Sequence, residues 1–158
     1  MFKIGDKVVY PHHGTAEIIR TEKREFLGNR KEYLVLRMIH GGMIVSVPVE
    51  KVEDVGVRWP ICSEDVDDLF QVLARRDVRE PSNWSRRYKN HQEKLKSGDV
   101  YQVAEVVRNL ARRKLIKGLS TGEKNLYVTA RNVLVSELSF ALQVTEEEAS
   151  VKVDKVLV

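Results

Sequence analysis

The sequence predicts an α+β chain in two parts: a small Tudor/SH3-like β-barrel over residues 1–58, then an all-α domain of about five helices over residues 59–158. Three observations predict it. Up to residue 58 the apolar residues come in short runs separated by glycine-containing turns, which is the pattern of antiparallel strands. From about residue 61 the apolar period lengthens to three or four, and the periodic runs open on residues able to cap a helix. Between the two patterns lies Gly56-Val57-Arg58-Trp59-Pro60, a natural junction.

The β elements follow in order. Lys7-Val8-Val9-Tyr10 is a short apolar strand, and Pro11-His12-His13-Gly14 turns the chain. Thr15 to Phe26 is a long, partly alternating run, closed by the turn residues Leu27-Gly28-Asn29. Tyr33 to Ile39 is the most apolar strand, and His40-Gly41-Gly42 makes a tight hairpin, since glycine reaches positive φ without strain. Met43 to Val49 completes the set, with Pro48 placed at an edge or strand end because it has no amide donor. So many short strands in so few residues imply a strongly bent sheet.

The helices are marked by their starts. Ser63 precedes four acids within five residues, favourable at a helix N-terminus, and Val66, Leu69, Phe70 and Leu73 form the apolar face that follows. Ser82 is the expected cap of the next helix, which opens with Trp84 in its first turn. Gly98 ends that helix, and Asp99-Val100-Tyr101-Gln102 reads as a capping box before the stripe Val103, Val106, Val107, Leu110. Ser120-Thr121-Gly122-Glu123 is a second box, leading Leu126, Ala130, Val133, Leu134, Leu138 and Leu142. Thr145 and the three glutamates after it open a last, short helix.

Composition narrows the function. The chain of 158 residues is 42 % hydrophobic and 32 % charged, enough for a core under a heavily ionic surface. Neither a secretory leader nor a membrane span is expected, and the single cysteine, Cys62, allows no intrachain disulfide and points to a reducing, cytoplasmic compartment. The net charge of +4 is unevenly spread. Residues 61–74 hold four acids and no base, while residues 75–131 hold fifteen Lys and Arg against six Asp and Glu. A cationic block of that size attracts polyanions irrespective of their sequence.

Within the block, Pro81-Ser82-Asn83-Trp84-Ser85-Arg86-Arg87-Tyr88-Lys89 sets a large aromatic among three bases at a helix start. The Cβ of a first-turn residue points back past the helix end, so the indole can project outward. An aromatic ringed by cations suits the minor groove of a kinked or opened duplex. The competing reading makes Trp84 a half-buried core residue, since tryptophan is highly buried on average.

Catalytic and metal patterns do not stand up. His12 and His13 are adjacent, and neighbours on a strand face opposite sides, so they cannot readily chelate together. Gly118-Leu119-Ser120-Thr121-Gly122-Glu123-Lys124 follows no strand and lacks the order of a phosphate loop. Neither an enzyme nor a cofactor-binding protein is expected.

The residues resemble a known family, the bacterial CarD/CdnL proteins. In the β half the resemblance rests on Lys7 to Gly14, Lys31 to Leu36, Val47 to Glu50 and Val55 to Arg58. In the helical half it rests on Asn83 to Lys89, Gly98 to Val100, Val103 to Arg108 and Leu119 to Lys124. It implies a transcription regulator that holds RNA polymerase and promoter DNA together, nucleoid-associated through the polymerase. The Tudor-like domain would dock on the polymerase β subunit, and the helical domain would meet the upstream edge of the melted bubble. Trp84 stands at the family's minor-groove tryptophan. Arg86, Lys89 and Lys124 fall on positions linked to DNA contact, with Arg87 a helper on charge alone. In the β half Arg24 falls on a polymerase-pairing position. Ser46 stands where some members carry a base, and Phe26 and Val45 supply apolar contact beside it, Val45 suiting the barrel core equally well.

No recognition helix offers Arg, Asn and Gln at base-reading positions, so promoter DNA would be bound with little sequence preference. The alternative is a two-domain adaptor joining two proteins without nucleic acid. Small-molecule substrates and membranes are not expected partners.

Overall fold

The structure is a computed structural model that describes residues 2–11, 13–76 and 78–157, the side chain of Phe26 excepted. Four antiparallel strands form one sheet in the order β1 (Lys7–Tyr10), β2 (Gly14–Phe26), β3 (Asn29–Met38), β4 (Ile44–Pro48). The sheet is a curled half-barrel, and the bend has a local cause. Ile18 faces Leu36 and Arg20 faces Val35, so Ile19 is an extra residue in β2, a bulge that sharpens the twist. Val8, Ala16, Ile18, Leu34, Leu36, Met38 and Val47 fill its apolar core with Val52 and Val57. Pro48 ends the edge strand β4, as a residue without a donor must.

The hairpin between β2 and β3 differs from expectation by one residue. Asn29 pairs with Phe26 inside the ladder, leaving a two-residue turn of Leu27 and Gly28 at φ 51° and 79°. Positive φ at both central positions matches the strand twist, and Leu27 adopts it at a steric cost that glycine avoids.

After the short helix α1 (Val52–Val55) the chain crosses to five helices: α2 (Val66–Ala74), α3 (Trp84–Lys96), α4 (Val100–Ile116), α5 (Thr121–Leu142) and α6 (Glu146–Leu157). A single 3-10 turn over Ser63–Asp65 precedes α2. Their shared core runs through Leu69, Leu73, Leu95, Val103, Val107, Leu110, Leu134, Leu138 and Val153. Losing one such leucine to alanine costs about 2–5 kcal/mol.

The start read at Ser120 is a complete box, and that at Thr145 is capped, the Glu148 amide donating to the Thr145 hydroxyl at 3.1 Å. At Asp99 the cap is present without the expected reciprocal bond from Gln102, Ser63 opens a 3-10 turn with no side-chain cap, and the cap of α3 is shifted. Asp99 accepts from the amide of Tyr101 at 2.9 Å, and Ser120 with Glu123 forms a complete reciprocal box. At α3 the cap is Asn83, not Ser82: the Asn83 Oδ1 accepts from the Arg86 amide at 3.1 Å. Both residue types cap well, and starting at Trp84 puts Arg87, His91 and Leu95, four apart, on the buried face.

The two halves touch. Gly14 passes the backbone of Val133, where an added Cβ would lie 3.7 Å from the Val133 Cα. The Pro11 ring fills the space beside Gly98, at 3.1 Å from where a Cβ would sit. Arg58 pairs by backbone with Val9 of β1, at 2.7 and 3.1 Å, and by side chain with Glu137 of α5.

Candidate nucleic-acid interface

Trp84 is the first residue of α3 and is 46 % exposed. Its ring is held on two sides. Tyr88, one turn along the same helix, packs against it with centroids 4.9 Å apart and planes tilted by 55°. The indole Nε1 donates to Oε1 of Glu123, at the start of α5, over 3.2 Å. Gly122 lets this packing close up, since a Cβ there would meet Tyr88 Cε1 at 3.0 Å.

Glu123 is 2 % exposed and does several things at once. Its carboxylate accepts from the Ser120 amide at 3.2 Å, while its own amide donates to the Ser120 hydroxyl. The Nε atoms of Arg87 and Arg113 lie 3.7 and 3.6 Å from Oε2, close enough to balance its charge. Burial alone would push the Glu123 carboxyl up. Hydrogen bonds from Ser120 and the Trp84 indole, with the Arg87 charge, outweigh it and hold the group below the ordinary carboxylate value. Behind it, His91 Nε2 lies 3.1 Å from Glu80 Oε1. Burial also pushes Glu80 up, and His91, Arg87 and Arg113 bring it below its ordinary value.

The cations read from the sequence fall into two groups. Arg86 and Lys89 are exposed on α3, and Lys124 is exposed beside Glu123 in the first turn of α5. Arg87 is not: it is 2 % exposed, facing inward beside Glu123. Its expected role as a DNA-facing helper is therefore corrected to that of an internal counterion. Charge alone cannot separate two adjacent arginines, but a helix rotates them by about 100°, and here that rotation buries one. Arg76, Arg112, Arg113 and Lys117 line a further basic pocket of about 250 Å³, with Glu80 at its side.

Tyr88, Glu123 and Arg113 were not anticipated as parts of this site. The spacing of Trp84 and Tyr88 at i and i+4 was the available signal for the first. The capping box announced Glu123 only as a cap, because its reach to Trp84 spans 39 residues.

In the β half the outer face brings Arg24 and Ser46 together. Arg24 Nη2 donates to the Ser46 hydroxyl at 3.0 Å and to Glu22 Oε2 at 2.7 Å, and the guanidinium lies 4.9 Å over the Tyr33 ring. The arginine is thus presented preformed, its side chain 48 % exposed. Val45 pairs with Leu36 and packs partly buried against the half-barrel core. Phe26 closes the β2–β3 hairpin by backbone pairing with Asn29.

His13 is exposed near the Tyr10 ring, whereas His12 lies outside the described residues. Among the described residues no group of three or more His, Cys, Asp or Glu could hold a metal ion, and no helix is long and apolar enough to cross a membrane.

Comparison with known proteins follows the same division. Residues 2–58 match the model of the CarD-like/TRCF RID domain, and residues 68–154 match that of the CarD C-terminal domain. The chain is 34 % identical over 148 residues to YdeB of Bacillus subtilis (strain 168), named as a transcription-factor candidate, covering 94 % of this chain and 97 % of that protein. The N-terminal domain of Myxococcus xanthus CarD, solved by NMR, is 32 % identical with a TM-score of 0.33, covering 37 % of this chain and 79 % of that one. The M. xanthus protein CdnLNt is 43 % identical with a TM-score of 0.34, covering 39 % of this chain and 86 % of that one.

Proposed function

The chain belongs to the CarD family of transcription regulators, and from that premise we propose that it binds the RNA polymerase β subunit through its half-barrel and holds the promoter bubble open with Trp84. One observation carries the reading. A half-exposed indole sits at a helix start, propped by Tyr88 and Glu123, on a helix that also exposes Arg86 and Lys89, with exposed Lys124 next to Glu123. A free surface tryptophan would have to be ordered on binding, whereas this one is already oriented.

The mechanism is an equilibrium shift and needs no catalytic group. A regulator that binds the open complex better than the closed one favours opening by that difference in affinity. Wedging an intact duplex costs a few kcal/mol of unstacking per step. At the upstream bubble edge one side is already unpaired, so the ring inserts there at lower cost. Arg86, Lys89 and Lys124 contact phosphates, which adds affinity without base selection. Arg24, stacked on Tyr33 and tied to Ser46, presents a fixed guanidinium to a carboxylate of the polymerase. Docking there raises the local concentration of the wedge, so weak DNA affinity suffices.

The decisive experiment measures open-complex decay after a competitor challenge, with and without the full chain, beside a direct titration of the chain with the β subunit. The reading requires slower decay and saturable binding. Equal decay rates, or no binding to the β subunit, would overturn it.

A further inference from the structure

Resting on the function proposed above, we infer that the Arg58–Glu137 pair is a positioning device. It locks the polymerase-facing half and the DNA-facing half at one separation, so that the docked protein delivers Trp84 to a set distance rather than trailing it on a tether.

Both partners are committed by geometry. The Arg58 backbone is zipped to Val9 at the free edge of the sheet. Its guanidinium gives Nη2 to Glu137 Oε1 at 2.7 Å, Nη1 to Oε2 at 2.8 Å, and Nε to the carbonyl of Gly98 at 2.6 Å. Glu137, its side chain 1 % exposed, also accepts from the Ile61 amide at 2.9 Å. One residue therefore joins the sheet, the last third of α5 and the turn at the end of α3.

Those are the two helices that hold the wedge. Trp84 begins α3, whose far end meets Arg58 at Gly98. Glu123 lies in the first turn of α5, whose last third meets Arg58 at Glu137. Fourteen residues of helix separate Glu123 from Glu137, about 21 Å of stiff rod. The wedge is thus fixed to the sheet by two struts that meet each other at Trp84–Glu123 and meet the sheet at the one residue Arg58.

An ion pair suits this work better than a larger apolar contact. Apolar surfaces slide over one another with little loss, being non-directional. A two-pronged pair has one geometry, and leaving it strands a buried carboxylate. A flexible linker spreads the second binding group through a volume, whereas a rigid one concentrates it where its span fits.

The test uses the full chain and begins with distances. Spin labels at Lys23→Cys in β2 and Val128→Cys in α5, in a Cys62→Ser background, report the separation of the halves. A single narrow distance is expected, and a broad or bimodal distribution overturns the inference whatever the function. Glu137→Gln removes the charge, and Arg58→Lys keeps charge but not the two-pronged geometry. Each is expected to broaden the distribution and shorten open-complex lifetime by about tenfold, while affinities for the isolated β subunit and for forked DNA stay within about twofold. Should both variants unfold, or lose affinity for either partner in parallel with lifetime, the pair is merely structural and the inference fails. An unchanged lifetime in a variant with broadened distances overturns it as well. If the unsubstituted chain neither binds polymerase nor slows decay, it is the proposed function that fails, and the distance measurement still stands on its own.

Discussion

The indole nitrogen of Trp84 and the carboxylate of Glu123 meet at 3.2 Å across two helices, so the most exposed aromatic of the basic face hangs from one of the most buried acids in the chain. Surface presentation and interior electrostatics are joined at that bond.

Trp84→Ala removes this bond and the Tyr88 contact but leaves Glu123 its Ser120 partners. We expect a stability loss of about 1–2 kcal/mol with the helical half still folded, and a marked shortening of open-complex lifetime. Trp84→Phe keeps an aromatic wedge without the donor and should lie between. Parallel thermal unfolding and decay measurements check both; an unfolded helical half together with unchanged decay for Phe would make Trp84 a core residue.

Glu123→Ala strands Arg87 inside and should cost about 2–4 kcal/mol, whereas Glu123→Gln retains the cap and the indole acceptor and should cost less. In a Trp59→Phe background, Trp84 emission should shift to the red in Glu123→Ala. The pH dependence follows from sign. The folded carboxyl is held below its ordinary 4.5, so its stabilisation is complete above that value and is lost as pH falls through the depressed value. Glu123→Gln should therefore flatten the acid limb of the stability profile, measured by denaturant titration across that range.

Salt separates the two adjacent arginines. Binding to duplex DNA should weaken linearly in log affinity against log salt. Arg86→Glu or Lys89→Glu should each reduce that slope by about one phosphate contact. Arg87→Ala should instead lower the unfolding temperature and leave the slope of the folded protein nearly unchanged. Trp84→Ala should lower affinity for a forked duplex without altering the slope. Salt-independent binding, or strong dependence on base sequence, would contradict this division.

Arg24→Glu should weaken binding to the polymerase β subunit while affinity for free DNA is retained. The side chain is half-exposed, and its contacts with Glu22 and Ser46 are worth at most about 1 kcal/mol, so the fold should survive. Titration of variant and parent against the isolated β subunit decides it: equal affinities remove Arg24 from the interface.

Leu27→Asn should stabilise the β half. Leu27 sits at φ 51° and is 87 % exposed, so it meets the left-handed penalty with no packing in return. The substituted turn reads Asn-Gly, the preferred pair for this hairpin, and should gain about 0.5–1 kcal/mol, or roughly 2 °C in Tm. No gain would mean that Leu27 makes a contact in solution that offsets its strain.

What the sequence determined by itself was local. Strand alternation, the turns at Gly28 and Gly41, the caps at Asp99 and Ser120 and the basic block all depend on residues within a few positions of one another, and short-range sterics and hydrogen bonding decide them. The family resemblance, later shown by the comparisons, rested on the same short motifs. The tertiary structure decided what distance along the chain conceals. It turned Arg87 inward and Arg86 outward, since only packing against α5 tells the faces of a polar helix apart. It moved the α3 cap from Ser82 to Asn83, where two good caps compete and burial of Leu95 chooses. It joined Trp84 to Glu123 and Arg58 to Glu137 across 39 and 79 residues. Such pairs leave no periodic trace, because each is made only after independent helices and a sheet have packed, when a buried charge must find its partner or go unpaired.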